Sequence, residues 1–255
     1  MPGPVQSIER AAAILRLLAR GSGRLGVGEI AASLGLAKGT AHGILRTLQG
    51  VGFVEQDKAS GKYQLGATLL HLGTSYLDVN ELRSRAINWA DALAARSGEA
   101  VWIGTPLDGK VLIVHHVFRP DDSLQSLDVG ALLPLHATAL GKVLLAYDAQ
   151  AAAALPESGL EPLTRRTLVS AAALKRELAK VRELGFAADV EEATLGQASI
   201  AAPIRGYGGL VVGAISITGA VDRLCPASGR PDPVLAGSVQ NAAQMISRDL
   251  GAGRW

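Results

Sequence analysis

Between residues 27 and 48, in the run VGEIAASLGLAKGTAHGILRTL, two short stretches with helical apolar spacing are joined through Gly35. The first carries Ile30, Ala31 and Leu34 on one side, and the second carries Ala41, Ile44, Leu45 and Leu48. Gly35 falls where a tight connection requires left-handed backbone, which glycine adopts without strain. A short helix, a tight turn and a following helix make a helix-turn-helix, whose second helix lies in the major groove of DNA with its first residues toward the bases.

The flanking segments complete that unit. SIERAAAILRLLARG places Ile8, Ala11, Ala12, Leu15 and Leu18 on one helical face, with Ser7 as N-cap, Glu9 in the first turn and Gly21 as the stop. GFVEQD and GKYQLG alternate around KASG and predict a hairpin, which makes the motif winged. Lys58 at its tip and Lys62 on the returning strand are then placed beside the phosphate backbone.

The helix after Gly35 opens Ala37, Lys38, Gly39, Thr40, almost without bulk. Gly39 and Gly43 each cost about 1 kcal/mol relative to alanine inside a helix, so a narrow face must serve another purpose. Gly39 permits close approach to a duplex, while Lys38, Thr40, His42 and Arg46 can reach phosphates or base edges. Arg46 is the best placed for a guanine; His42 reads equally well as a surface residue. Residues 1–65 hold eight Lys/Arg against four Asp/Glu, net +4, and the rest of the chain is net −2. A basic unit joined to a slightly acidic one fits nucleic-acid binding by the first. A winged helix serving as a protein-protein module is the alternative.

The 255 residues, 48% of them hydrophobic, suffice for two domains. A single cysteine, Cys225, excludes an internal disulfide framework and a multi-thiolate zinc site, so a reducing, cytoplasmic setting is expected. The start MPGPVQSIER has no signal-peptide pattern, and GGLVVGAISITGAV is too short and glycine-rich to span a bilayer, so no membrane partner is expected.

After LGATLLHLGTSYL, a second helical segment lines up Leu82, Ala86, Trp89 and Leu93. Beyond residue 98 the pattern alternates: strands at EAVWIGT, KVLIVHHV, SIAAPI and VVGAISIT, helices at TALGKVLLAY, AALKRELAKVRELG and PVLAGSVQNAAQMISRDL. An antiparallel sheet with helices on its faces, an α+β arrangement, is expected. Enzyme signatures are missing: there is no G-x-S-x-G elbow, HATALGK is not a phosphate-binding loop, and the glycines of RGYGGLVV run into a strand and mark a hairpin turn. His115 and His116 are adjacent, hence on opposite strand faces and unsuited to sharing a metal. No cofactor or metal is expected.

Small polar residues do converge. Ser216 and Thr218 share a strand face, Ser199 begins another strand, Asp189 stands at a strand end, and HATALGK offers helix-start N–H groups around Ala139 and Leu140. From the residues alone, a ligand wall and simple satisfaction of local backbone groups both stand.

SIERAAAILRLL, VGEIAASLGLAKGTAHGILRTL, GFVEQD, GKYQLG, LPLHATALGK, GFAADVEE and IAAPI occur in the order found in the IclR family of bacterial transcription regulators, which the chain resembles over nearly its whole length. Many members have proline, serine and arginine where this chain has Ala37, Gly39 and Gly43, leaving fewer side-chain donors toward DNA here. The resemblance implies a winged helix-turn-helix domain over 1–66, a helical linker over 67–97 and a GAF-like effector-binding domain over 98–255. It also implies that Ala139, Leu140, Asp189, Ser199, Ser216 and Thr218 line the effector pocket; many members have cysteine where this chain has Ser199. LAKGTAHGILRTLQ, TSYLDVNELR, VLIVHHVFRPDDS and ISRDLGAGR resemble a subgroup concerned with glycerol catabolism. A repressor of such an operon, acting on double-stranded operator DNA as a homodimer or homotetramer and released by glycerol or glycerol 3-phosphate, is the implied function. For a phosphate, Lys142 and Arg205 are the available cations. A regulator of another small-molecule pathway and a constitutive DNA-binding or recruiting protein are the alternatives.

Overall fold

The computed structural model describes residues 3–20, 23–79, 81–121, 125–148, 152, 155, 159–226 and 229–252, with backbone alone for 74–79. The chain divides into two compact units, Met1–Val79 and Asn80–Trp255.

In the first unit α1 (Gln6–Leu18), α2 (Val27–Ser33) and α3 (Lys38–Gly50) precede a two-stranded antiparallel hairpin, β1 (Val54–Gln56) and β2 (Tyr63–Leu65), and α4 (Thr68–Val79). Ile14 and Leu18 of α1, Ile30 of α2, Leu45 and Leu48 of α3, Val54 and Tyr63 form one core. Gly35 has φ +62°, and the N–H of Leu36 donates to the Ala31 carbonyl at 2.9 Å, so the turn takes the left-handed form its sequence predicts. The start of α1 departs from expectation. Val5 precedes the helix with no side-chain cap and Ser7 lies inside its first turn. Ile8 is 66% exposed. The inward line runs through Ala11, Ile14 and Leu18, and its next position toward the N-terminus is Ser7, so Ile8 is rotated off the buried face. Gly21, expected to stop the helix, lies outside the described residues.

The second unit holds α5 (Glu81–Ser97), β3 (Ala100–Leu107), β4 (Lys110–Val117), β5 (Leu132–Pro134), α6 (Ala139–Tyr147), α7 (Ala171–Leu184), β6 (Ala187–Val190), β7 (Gln197–Arg205), β8 (Val211–Ala220), α8 (Val221–Leu224) and α9 (Pro233–Asp249). Its strands form one six-stranded antiparallel sheet in the order β5-β4-β3-β8-β7-β6. A 3-10 turn at Tyr207–Gly209 joins β7 to β8 where RGYGGLVV predicts a hairpin turn. The α6 and α7 side chains pack with Val111, Ile113, Ala201 and Ala214 on one face. The other face is covered by α5 and α9. Two glycines show the division: a Cβ at Gly104 would meet Leu140 of α6, whereas one at Gly213 would strike Leu82 of α5.

In α5 the expected residues Leu82, Ala86 and Leu93 are buried together with Ala90 and Ala94. Trp89 is half-buried instead and donates its Nε1–H to Asp249 at 2.8 Å, because Ala90 takes the inward position. Of the 67–97 segment, α4 belongs to the first unit, while α5 packs on the sheet of the second.

Candidate functional site

Two places gather the residues singled out by sequence. On the first unit, Lys38, Gly39, His42, Gly43 and Arg46 are exposed on α3 and Thr40 is half-buried. Lys38, His42 and Arg46 follow one another at four-residue spacing along a line that flanks the buried Ala41, Leu45 and Leu48. Ala37 precedes α3 without a side-chain cap, so the first-turn N–H groups are open to an anion. At the hairpin, Asp57 Oδ1 accepts from the Ser60 N–H at 2.7 Å and the Ala59 N–H at 3.1 Å. The Ser60 backbone bond holds the Asp57 carboxyl below its ordinary range, which fixes the tip that carries exposed Lys58. Lys62 stands just before β2 with its Nζ 3.9 Å from Glu29, so its charge is partly engaged by α2.

In the second unit the sheet register assembles the other set. Asp189 of β6 pairs with Ser199 of β7, and Ser199 with Thr218 of β8. One row over, Ala201 pairs with Ser216, and Ser216 with Trp102 of β3. Residues two apart share a face, so Asp189, Ser199, Ser216, Thr218 and Trp102 all lie on the α6 side. There they line a cavity of about 190 Å³ with Thr138 and Leu140 at the start of α6 and Leu163, Thr194 and Gln197 on loops and strand ends. Ala139 does not reach this wall: its side chain is fully buried in the hydrophobic core. What Ala139 offers beside the cavity is the helix-start N–H expected of this segment, not its side chain.

The start of α6 is closely seated. Thr138 caps it, its hydroxyl accepting from the Gly141 N–H at 3.1 Å and donating to the Pro134 carbonyl at 2.8 Å. A Cβ at Gly141 would overlap the Leu135 backbone, so only glycine lets the helix start approach this segment. The N–H groups of Ala139 and Leu140 have no acceptor among the described residues, which leaves the positive end of α6 available beside the cavity.

Asp189 is buried, and its Oδ1 accepts from the Glu192 N–H at 2.8 Å while Oδ2 accepts from the Ser199 hydroxyl at 3.3 Å. Loss of solvation pushes its pKa up, against those hydrogen bonds and the nearby Lys142 charge. On the same wall Trp102 Nε1, Ser216 Oγ and Thr218 Oγ1 are buried with no hydrogen-bond partner. Such groups cost about 1–3 kcal/mol each when left unmatched, so a molecule rich in hydroxyls that matched them would bind with that gain.

The two expected cations do not join the site. Lys142 is fully buried, with Nζ donating to the Ala188 carbonyl at 3.0 Å and paired to the Glu192 carboxylate. Loss of solvation raises the Glu192 pKa although Lys142 opposes it. Arg205 donates to the Gly209 carbonyl at 3.0 Å, stacks over the Tyr147 ring at 4.7 Å and borders a separate cavity beside α9. The spacing of Lys142 in α6 and Arg205 in β7 carries no sign of these partners, of which only Gly209 lies near in sequence. Trp102 and Gln197 carry no site signature in the sequence; only the β3–β8 pairing brings Trp102 to the wall.

Among the described residues no group of three His, Cys, Asp or Glu side chains gathers as a metal site, and no helix is long and apolar enough to cross a membrane.

A winged helix-turn-helix with a basic recognition face, carried with an α+β unit, is the architecture of a DNA-binding transcriptional regulator. Two family models match: the IclR helix-turn-helix domain over residues 7–58 and the bacterial transcriptional regulator IclR C-terminal domain over residues 74–248. The chain belongs to the IclR family. It is 59% identical over 251 residues to the glycerol operon regulatory protein of Streptomyces coelicolor and 57% identical to that of Streptomyces griseus, covering 98% of each chain in both cases. An IclR transcriptional regulator from Alicyclobacillus acidocaldarius has the same fold, with a TM-score of 0.81 at 26% identity over 96% of this chain and 99% of that one.

Proposed function

We propose that this regulator represses a glycerol or related polyol catabolic operon and is released from its operator by glycerol or glycerol 3-phosphate bound in the 190 Å³ cavity. The observation that carries this reading is the convergence of Asp189, Ser199, Ser216 and Thr218 on one wall, with buried hydroxyls lacking partners. Cavities of about 300–1,000 Å³ hold drug-sized ligands, so this smaller one suits a three-carbon metabolite. The names of the two Streptomyces relatives support the same class of effector. Lys142 and Arg205 are engaged elsewhere, so a phosphate on the ligand is assigned to the open N–H groups of α6.

On the DNA side, Lys38, Gly39, Thr40, His42 and Arg46 meet the major groove, and Lys58 and Lys62 the flanking phosphates. Homodimers or homotetramers acting in the cytoplasm on a pseudo-palindromic site, with residues 67–97 as transmitter between a DNA-binding domain at 1–66 and an effector domain at 98–255, complete the proposal. Ligand shifts DNA affinity only by its differential affinity for the two states, commonly about 1–3 kcal/mol. The test is a fluorescence-anisotropy titration of the intact protein on DNA from upstream of its own gene, at fixed salt, with and without each ligand. Weaker binding with one of them is expected; tight binding unchanged by either refutes the effector assignment.

A further inference from the structure

Beside the cavity just described lies a second, of about 450 Å³, and the two share Trp102, Gln197 and Thr218 as a common wall. It sits over the start of β3 and the ends of β4 and β8, bordered also by Arg119, Gln125, Ser126 and Asp128. Beyond those three shared residues, the proposed glycerol site does not use it.

Its inner wall is aromatic and built to a plan. Trp102 is opposite His116 in the β3–β4 register, and their rings meet edge to face with centroids 5.9 Å apart at 88°. Phe118 leans on the imidazole at 4.7 Å. The Asp128 N–H donates to His116 Nδ1 at 3.2 Å, which makes that nitrogen the acceptor and leaves the ring proton on Nε2. The His116 side chain is 3% exposed, and loss of solvation lowers its pKa against the pull of Asp128, so the ring is neutral with one N–H to offer. His116 Nε2, Trp102 Nε1 and Thr218 Oγ1 are buried and have no partner. Buried N–H groups without acceptors are rare in folded proteins, and two occur here on touching rings.

The charges select the ligand. Arg119 is ion-paired with Asp121, and Asp128 adds a carboxylate that accepts from the Ser126 hydroxyl at 3.3 Å. Gln125 is spent on the Arg119 backbone, accepting from its N–H at 2.7 Å and donating to its carbonyl at 3.0 Å. The wall therefore carries no surplus positive charge for a phosphate or carboxylate. It offers N–H donors on aromatic rings and a carboxylate acceptor, a set matched by groups that both accept and donate, which is the property of hydroxyls.

We propose that the second cavity is a subsite for a neutral polyhydroxyl group, a sugar ring or polyol chain, carried on the same ligand whose glycerol-sized end occupies the first cavity. The proposal rests on the effector reading of the first cavity, and Trp102 is the joint between the two compartments.

Isothermal titration calorimetry on the intact protein with glycerol, glucose and glucosylglycerol tests it. Glucosylglycerol is expected to bind at least tenfold more tightly than glycerol. That advantage is lost in His116→Ala and in Asp128→Asn, which keep glycerol binding unchanged, while Ser199→Ala weakens both ligands. Asp128→Asn retains the backbone N–H that orients His116, and thermal unfolding confirms that each variant is folded. Glucosylglycerol binding no tighter than glycerol, or equally tight in both variants, overturns the proposal. Glucose binding that His116→Ala abolishes and Ser199→Ala spares, with no binding of glycerol, upholds the polyhydroxyl subsite and overturns the effector reading of the first cavity.

Discussion

The Ser199 hydroxyl lies 3.3 Å from Asp189 Oδ2 across the β6–β7 register, binding a carboxylate that burial disfavours in its charged form. Because the folded-state pKa of Asp189 is raised above 3.8, the folded protein holds this proton more tightly than the unfolded chain. The associated stability is complete below that value and is lost as pH rises through the raised pKa. Asp189→Asn removes this loss. In ligand-free protein the variant's melting temperature is expected to gain on the wild type's from acid toward neutral pH; a constant gap in thermal unfolding across that range would contradict the account.

Lys142 and Glu192 form a buried ion pair between α6 and the segment after β6. Removing one partner of such a pair costs about 3–5 kcal/mol, because the other charge is left without compensation. Lys142→Met should lose stability on that scale in urea unfolding, and Lys142→Met with Glu192→Gln should recover most of it. Equal loss in the single and double variants would show that the pair is not the source.

Glycine at position 141 lets α6 start against Leu135. Gly141→Ala forces this contact apart, and overpacking of this kind costs about 1–3 kcal/mol. Reduced stability together with weakened ligand binding is expected, read by unfolding and calorimetry on the same preparation.

On α3, Arg46 and the wing residue Lys58 should separate by kind of effect. Arg46→Ala is expected to cost about 1–3 kcal/mol on the operator and to relax discrimination at one base pair. Lys58→Ala should weaken binding to all sequences alike and flatten the slope of log affinity against log salt by about 1. Anisotropy on operator and scrambled duplexes over a salt series measures both.

Much of this was legible in sequence because it is local. Gly35 announces its turn, and the alternation of Ser216 and Thr218 puts them on one face whatever their neighbours are. Strand β5, three residues of LLP, and β6, whose Ala-Ala-Asp-Val has little β propensity, are held by the edges of the sheet and not by their own pattern. Trp102 reaches the cavity only because β3 pairs with β8, more than a hundred residues later in the chain. Lys142 looked like a ligand cation because its charge is visible in the sequence and its partner Glu192, fifty residues away, is not. Ile8 was misplaced because hydrophobicity alone cannot tell which of two adjacent helical lines faces the core.

Occupation of the Asp189–Ser199–Ser216–Thr218 wall is expected to change affinity for DNA. Its most direct test is operator affinity by anisotropy at fixed salt for the wild type and for Ser216→Ala with Thr218→Val, each with and without saturating glycerol or glycerol 3-phosphate. Ligand is expected to weaken wild-type binding by about 5–150-fold, the usual range of allosteric coupling, whereas the double variant binds the operator as tightly as wild type but no longer responds. A folded double variant that responds to ligand as the wild type does would contradict it.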